Sequence, residues 1–134
     1  MKIVVIDGQG GSIGREVIER VKVEFPKAAI LAIGTNAMAT ETMLKARPTQ
    51  AATGENPVAI NAADADVIIG PIGIVVANAM FGEITPRMSF AIGKSKAKKL
   101  LIPINHCNNI VVGVSDLSIK NLLDSLIVEL KKSI

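Results

Sequence analysis

Tyrosine and tryptophan are both missing from these 134 residues, and phenylalanine occurs only 3 times. Because 49% of the chain is still hydrophobic, its core must be aliphatic, rich in Val, Ile and Leu, as in parallel sheets buried on both faces. The clearest basic cluster, Lys94, Lys96, Lys98 and Lys99, has no aromatic residue among its lysines. It reads as a solvated face, and nucleic acid is not an expected partner. A single cysteine excludes an intrachain disulfide and any multi-cysteine metal cluster. Nothing then demands an oxidising compartment, no metal is expected, and the cytoplasm is the default location. The longest uncharged run, Val67 to Gly82, is shorter than the roughly 18 residues of a spanning helix and is broken by Pro71 and Gly73, so no membrane association is expected. The chain opens directly on a strand pattern interrupted by Asp7, which does not read as a signal peptide.

At this length residues 1–134 are expected to form one domain, too small for a cofactor domain with a separate substrate domain. A substrate must share that domain or lie at a subunit interface. The formal net charge of +3 is mild and points to no particular partner.

The first fifteen residues hold the strongest signal: an apolar run, Lys2 to Ile6, then Asp7-Gly8-Gln9-Gly10-Gly11-Ser12-Ile13-Gly14, then an amphipathic helix. Glycines at this turn let the backbone approach a ligand and pack the helix against the strand. The unpaired N–H groups and partial positive charge of the helix N-terminus favour an anion such as phosphate. A Gly11→Asp substitution is expected to abolish such binding and leave the fold intact.

Ile13, Val17, Ile18, Val21 and Phe25 recur at helical spacing until Pro26. A second strand spans about Ala29 to Ile33, and Asn36 suits the N-cap of a helix over Ala37 to Ala46. Gln50 to Thr53 suits a short third strand, and Asn56-Pro57 the start of a short helix reaching about Ala62. Asp66 to Gly70 reads as a strand, Ile74 to Phe81 as a helix apolar nearly all round, and Thr85-Pro86 as the start of another that ends near Gly93 as its C-cap. Lys99 to Asn105 and Ile110 to Val114 read as strands, and Ser118 caps a last amphipathic helix. Alternating strands and helices predict an α/β, Rossmann-like three-layer fold around a mostly parallel, doubly wound sheet.

In such a sheet a ligand lies beyond the carboxyl ends of the strands, where strand order reverses. The residues expected there are Asp7 to Gly14, Thr35 and Asn36 after the second strand, Gly70-Pro71-Ile72-Gly73 after the fourth, and Asn105 after the fifth. Candidate catalytic groups are few. His106 and Cys107 are the sole histidine and cysteine, but neighbours in an extended segment face opposite ways and do not pair directly. Glu55 is a candidate general base that also suits a helix start. The all-round apolar helix expected at Ile74 to Phe81 needs covering, which predicts a homodimer or tetramer using it and Ile84 to Phe90.

The first loop is similar to the Thr-Gly-x-x-x-Gly-x-Gly motif of short-chain dehydrogenases and reductases, with Asp7 in place of Thr and Ser12 in place of the middle Gly. Such reductases activate a carbonyl through a Tyr-x-x-x-Lys pair, which a chain without tyrosine cannot contain. Nor does the second strand end in the acid that holds an NAD ribose; Gly34-Thr35-Asn36 stands there instead.

Five segments, Ile6 to Gly14, Gly34 to Ala37, Ala52 to Asn56, Ile69 to Ile74 and Ile102 to Asn105, together resemble a family of short, Rossmann-like bacterial proteins catalogued as a domain of unknown function. In that family glycine is usual where Ser12 stands. The resemblance implies the fold and no reaction. The leading expectation is a protein that binds a small phosphorylated ligand, NAD(P) or another nucleotide, between the loops at Gly8 to Gly14 and Gly70 to Gly73. Two alternatives stand beside it: an atypical oxidoreductase or isomerase using His106 or Glu55, and a non-catalytic regulatory or scaffold subunit.

Overall fold

Lys2–Asp7 forms β1 in the computed structural model, which describes residues 1–104, 108–115 and 118–134. Every residue of β1 after Lys2 is buried. Ile3 and Val5 enter the core on one face of the sheet, Val4 and Ile6 the core on the other. A strand buried on both faces reads as a continuous apolar run, which is why the sequence reveals it. The other strands are Ala29–Gly34 (β2), Gln50–Thr53 (β3), Val67–Pro71 (β4) and Lys98–Ile102 (β5).

All pairings are parallel, and the order is β3-β2-β1-β4-β5. β1 therefore sits at the centre, with β2 registered from Lys2↔Ala29 to Asp7↔Gly34 and β4 from Ile3↔Val67 to Val5↔Ile69. After β3 the chain crosses to the far side of β1. The order reverses between β1 and β4, which is where the sequence expects a ligand.

The helices are Ser12–Glu24 (α1), Ala37–Leu44 (α2), Glu55–Ala62 (α3), Pro86–Lys94 (α4) and Ile119–Ser133 (α5). α1, α2 and α5 cover one face through Val17, Ile18, Val21, Met43, Leu122, Leu126 and Leu130. α3 and α4 cover the other through Val58, Ala62, Met88 and Ile92. Fully burying one such side chain is worth about 1.5–3 kcal/mol, so these two layers dominate the stability of the fold.

Local signals act largely as read. Asn36, Thr85 and Ser118 cap α2, α4 and α5, their side-chain oxygens accepting from Ala39, Met88 and Asn121 N–H. Three expectations shift. α3 begins at Glu55, because Gly54 at φ 110° turns the chain a residue or two earlier than Asn56-Pro57 suggests. Gly93 lies inside α4, whose C-cap is Ser95. Lys99 Nζ donates to the carbonyls of Gly93 and Ser95 there, so one lysine of the basic cluster caps a helix end. Ile110 to Val114 is not a strand: β5 is the sheet edge, and a turn with Gly113 at φ 86° bends the segment away from ladder geometry.

Ile69, fully buried in β4, tests the two-faced core. Ile69→Ala is expected to cost about 3 kcal/mol in chemical denaturation. A loss below about 1 kcal/mol would contradict close packing there.

Candidate functional site

The site begins with a carboxylate at the end of β1. Asp7 is 4% exposed, and its two oxygens accept from Gly8 N–H at 2.8 Å and Gly14 N–H at 2.7 Å. That clamp ties the end of the strand to the first turn of α1 and folds the residues between into a loop. Gly14 is required because a Cβ there would lie 2.9 Å from that of Asp7 and 2.4 Å from the sulfur of Met43. Gly11 is required twice over: its φ is +76°, and a Cβ would lie 2.5 Å from the carbonyl oxygen of Ala39. The expectation that Gly11→Asp would spare the fold is therefore corrected, since that side chain collides with the backbone of α2. Gly10 is the opposite case, with no atom within 4 Å of a Cβ.

The loop spends some N–H groups internally and leaves others. Gly11 N–H donates to Gly8 O and Arg15 N–H to Gly11 O, while those of Gly8 and Gly14 go to Asp7. Gly10, Ser12 and Ile13 N–H have no partner among the described residues. These three groups lie at the positive end of α1, where the glycine pattern leads one to expect an anion.

Thr35 and Asn36, at the end of β2, stand beside it. Asn36 Nδ2 donates to Gln9 O at 3.0 Å, joining the two loops, and Thr35 N–H donates to Asp7 O. The surprise is what they hold. Glu83 reaches across from the connection between β4 and α4, and its Oε1 accepts from Thr35 Oγ1 at 2.6 Å, Asn36 Nδ2 at 2.7 Å and Gln9 N–H at 2.9 Å. A carboxylate from another segment thus lies beside the end of β2, which itself ends without an acid.

That segment is not the helix expected over Ile74 to Phe81. A single 3-10 turn, Ile72–Val75, gives way to a tight knuckle closed by Asn78 N–H to Ile84 O and Ile84 N–H to Ala79 O. Asn78, Met80 and Phe81 have φ of 65°, 58° and 56°, and Gly82 of 90°. The left-handed region costs a non-glycine residue roughly 1–2 kcal/mol, though Asn tolerates it better. Ile74, Ala79, Met80 and Ile84 are buried against the sheet, and Met80 lies over Gly8. The apolar surface that called for a second subunit is thus turned inward, leaving Phe81 fully exposed at the tip.

Asp7 to Ile13, Pro71 and Met80 line a pocket of about 50 Å³. Of the fourth-strand residues expected at the ligand, only Pro71 reaches this wall. Gly70 packs against the Ile6 carbonyl and Gly73 beside Ala79 and Met80, while Ile72 opens the 3-10 turn. Glu55 opens α3 and pairs with Arg87 Nη1 at 3.3 Å, outside this wall. Hydrogen bonds from Thr85 and Arg87 hold its carboxyl below the usual glutamate value, which makes it a weak base. Asn105, His106 and Cys107 lie outside the described residues. Among the described residues no cluster of ligating side chains could hold a metal, and no helix is long and apolar enough to cross a membrane.

The family model of DUF3842, a domain of unknown function, matches residues 2–134. The chain belongs to this family. No curated protein matches the DUF3842 chain in sequence. Among solved structures it is similar to a dodecameric FMN-dependent UbiX-like decarboxylase from Escherichia coli O157:H7, at 14% identity and a TM-score of 0.48, covering 99% of this chain and 76% of that one.

Burial pushes the Asp7 carboxyl of this DUF3842 member above the usual aspartate value, against the pull of the Gly14 and Gly8 N–H bonds, and the charge of Glu83 adds to the rise. Glu83 moves the other way: partial burial raises it, but Thr35, Gln9 and Asn36 outweigh that and hold it below the usual glutamate value. A carboxyl raised in the folded state contributes stability that is fully present below its unfolded value and lost as pH rises through its folded value. Asp7→Ala is expected to cost about 2 kcal/mol at neutral pH, because two N–H groups lose their acceptor. On acidification through that window the gap between wild type and variant should widen, measured by urea denaturation. A gap that narrows would contradict the raised Asp7.

Proposed function

We propose that the chain binds a small phosphorylated metabolite of nucleotide type, its phosphate on the N–H groups of Gly10, Ser12 and Ile13. The observation that carries this reading is those three unpartnered donors at the start of α1, beside the point where strand order reverses. Pro71 and Met80 would form the opposite wall, and Thr35 and Asn36, tied to the loop through the Gln9 carbonyl, would border the rest of the ligand. No Lys or Arg lines the pocket, whereas Asp7 does and Glu83 stands beside it. Each added phosphate meets those carboxylates without a compensating cation, so a phosphate monoester fits better than the pyrophosphate of NAD(P). The reading names no catalytic group: of the candidates, Glu55 pairs with Arg87 outside the pocket, and His106 and Cys107 lie outside the described residues.

The test is a thermal-shift panel of nucleoside monophosphates, NAD, NADP, FMN and inorganic phosphate on wild type and Gly10→Asp. Ligand at about 100 times its dissociation constant adds roughly 2.7 kcal/mol, several degrees in Tm. Gly10→Asp sets a charge at the loop mouth without a backbone clash, so it should keep the wild-type Tm and lose the ligand shift. Shifts from none of these ligands, or shifts retained in Gly10→Asp, would overturn the placement.

We propose self-association as well, now through the exposed Phe81 and Phe90, which are 101% and 67% exposed. Phe90→Glu is expected to lower the sedimenting mass to that of a single chain. A wild-type protein that already sediments as one chain would end this proposal.

A further inference from the structure

We infer that the Glu83 carboxylate is an internal stand-in for an anionic group of the ligand, occupying donors that the ligand takes over when it binds. The inference rests on the phosphate-binding reading and adds a second anion subsite to it. Its donors are separate from the free N–H groups of α1: Gln9 N–H, Thr35 Oγ1 and Asn36 Nδ2, from two loops, converge on one oxygen at 2.6–2.9 Å. All three are neutral, and together they hold a full negative charge that arrives from 47 to 74 residues away in sequence. Among the described residues only Oε1 is used: Oε2 accepts no hydrogen bond from them, and the side chain stands half-buried at the crevice mouth.

A purely structural carboxylate is expected to be saturated and buried, as Asp7 is, with both oxygens occupied. Glu83 is neither. It also follows directly on the left-handed residues Met80, Phe81 and Gly82, backbone strain of the kind that gathers at ligand clamps. Rotation of the Glu83 side chain alone, with the knuckle still closed by Asn78 and Ile84, frees the three donors and removes one negative charge from the crevice. An oxyanion with several equivalent oxygens, phosphate or carboxylate, can then bridge these donors and the free N–H groups of the neighbouring loop.

The probes are inorganic phosphate, sulfate and acetate, titrated calorimetrically into wild type, Glu83→Ala and Glu83→Gln. Both variants are expected to bind phosphate and sulfate about tenfold more tightly than wild type, since neither has a competing charge, a change of about 1.4 kcal/mol. Acetate tightening alone would identify a ligand carboxylate as the occupant, and tightening of the tetrahedral ions a phosphate. A ligand-free readout accompanies this: the Gln9 amide should exchange hydrogen faster in Glu83→Ala, with Gly11 and Gly14 unchanged. Wild-type binding that is equalled or exceeded in affinity by neither variant overturns the stand-in role and leaves the phosphate site standing. Equal affinity throughout, or unchanged Gln9 exchange, overturns it as well. No binding by any of the three proteins overturns the site and the inference together.

Discussion

The clamp between Asp7 and the N–H groups of Gly8 and Gly14 is the constraint on which the site depends. Burying an ionised carboxylate is costly, and the two backbone bonds offset part of that cost. To make them, the chain must leave the centre of the sheet and return within seven residues. That path needs a left-handed residue at Gly11 and room for α1 to touch β1 at Gly14. With the loop so fixed, α1 begins directly above the end of β1, and its first N–H groups face the crevice. Asn36 extends the order outward, since its side chain caps α2, holds the Gln9 carbonyl and reaches Glu83 at once.

The central strands were legible because they are buried on both faces, so apolar runs such as Ile3 to Ile6 and Val67 to Ile69 mark them without ambiguity. Caps supplied by side chains were legible too, at Asn36, Thr85 and Ser118. What failed were segments whose apolar residues face inward without regular backbone. Between Ile74 and Phe81 the composition is that of a buried helix, but the conformation is set by closure of a knuckle on itself, and left-handed Met80 and Phe81 leave no trace in hydropathy. At Ile110 to Val114 an apolar run is turned at Gly113 instead of extending along a strand, so local backbone geometry overrides propensity.

Glu83 escaped for a different reason. An acid expected by analogy at the end of β2 was sought in sequence next to β2, whereas the carboxylate that lies there comes from 47 residues downstream. One signal was present: Glu83 is the sole charged residue between Asp66 and Arg87. A lone charge in so apolar a stretch must find polar partners or reach water, and here it does both. Isolated charges within long apolar segments thus point to sites that motif spacing misses, because the spacing of a motif captures only local backbone geometry.

The charge balance of the crevice then decides what can enter it. To a bound anion, three charge-assisted hydrogen bonds from Gly10, Ser12 and Ile13 would be worth about 1.5–3 kcal/mol each. A unit negative charge about 6 Å from a carboxylate opposes this by about 3 kcal/mol at an effective dielectric of 20, and by less where water screens the pair. Asp7 is buried, so its charge acts with little screening. Glu83, held ionised by its donors, adds a second repulsion and withholds three further hydrogen bonds. On the stand-in reading, moving Glu83 aside would change both terms in the same direction, removing a charge and releasing three donors.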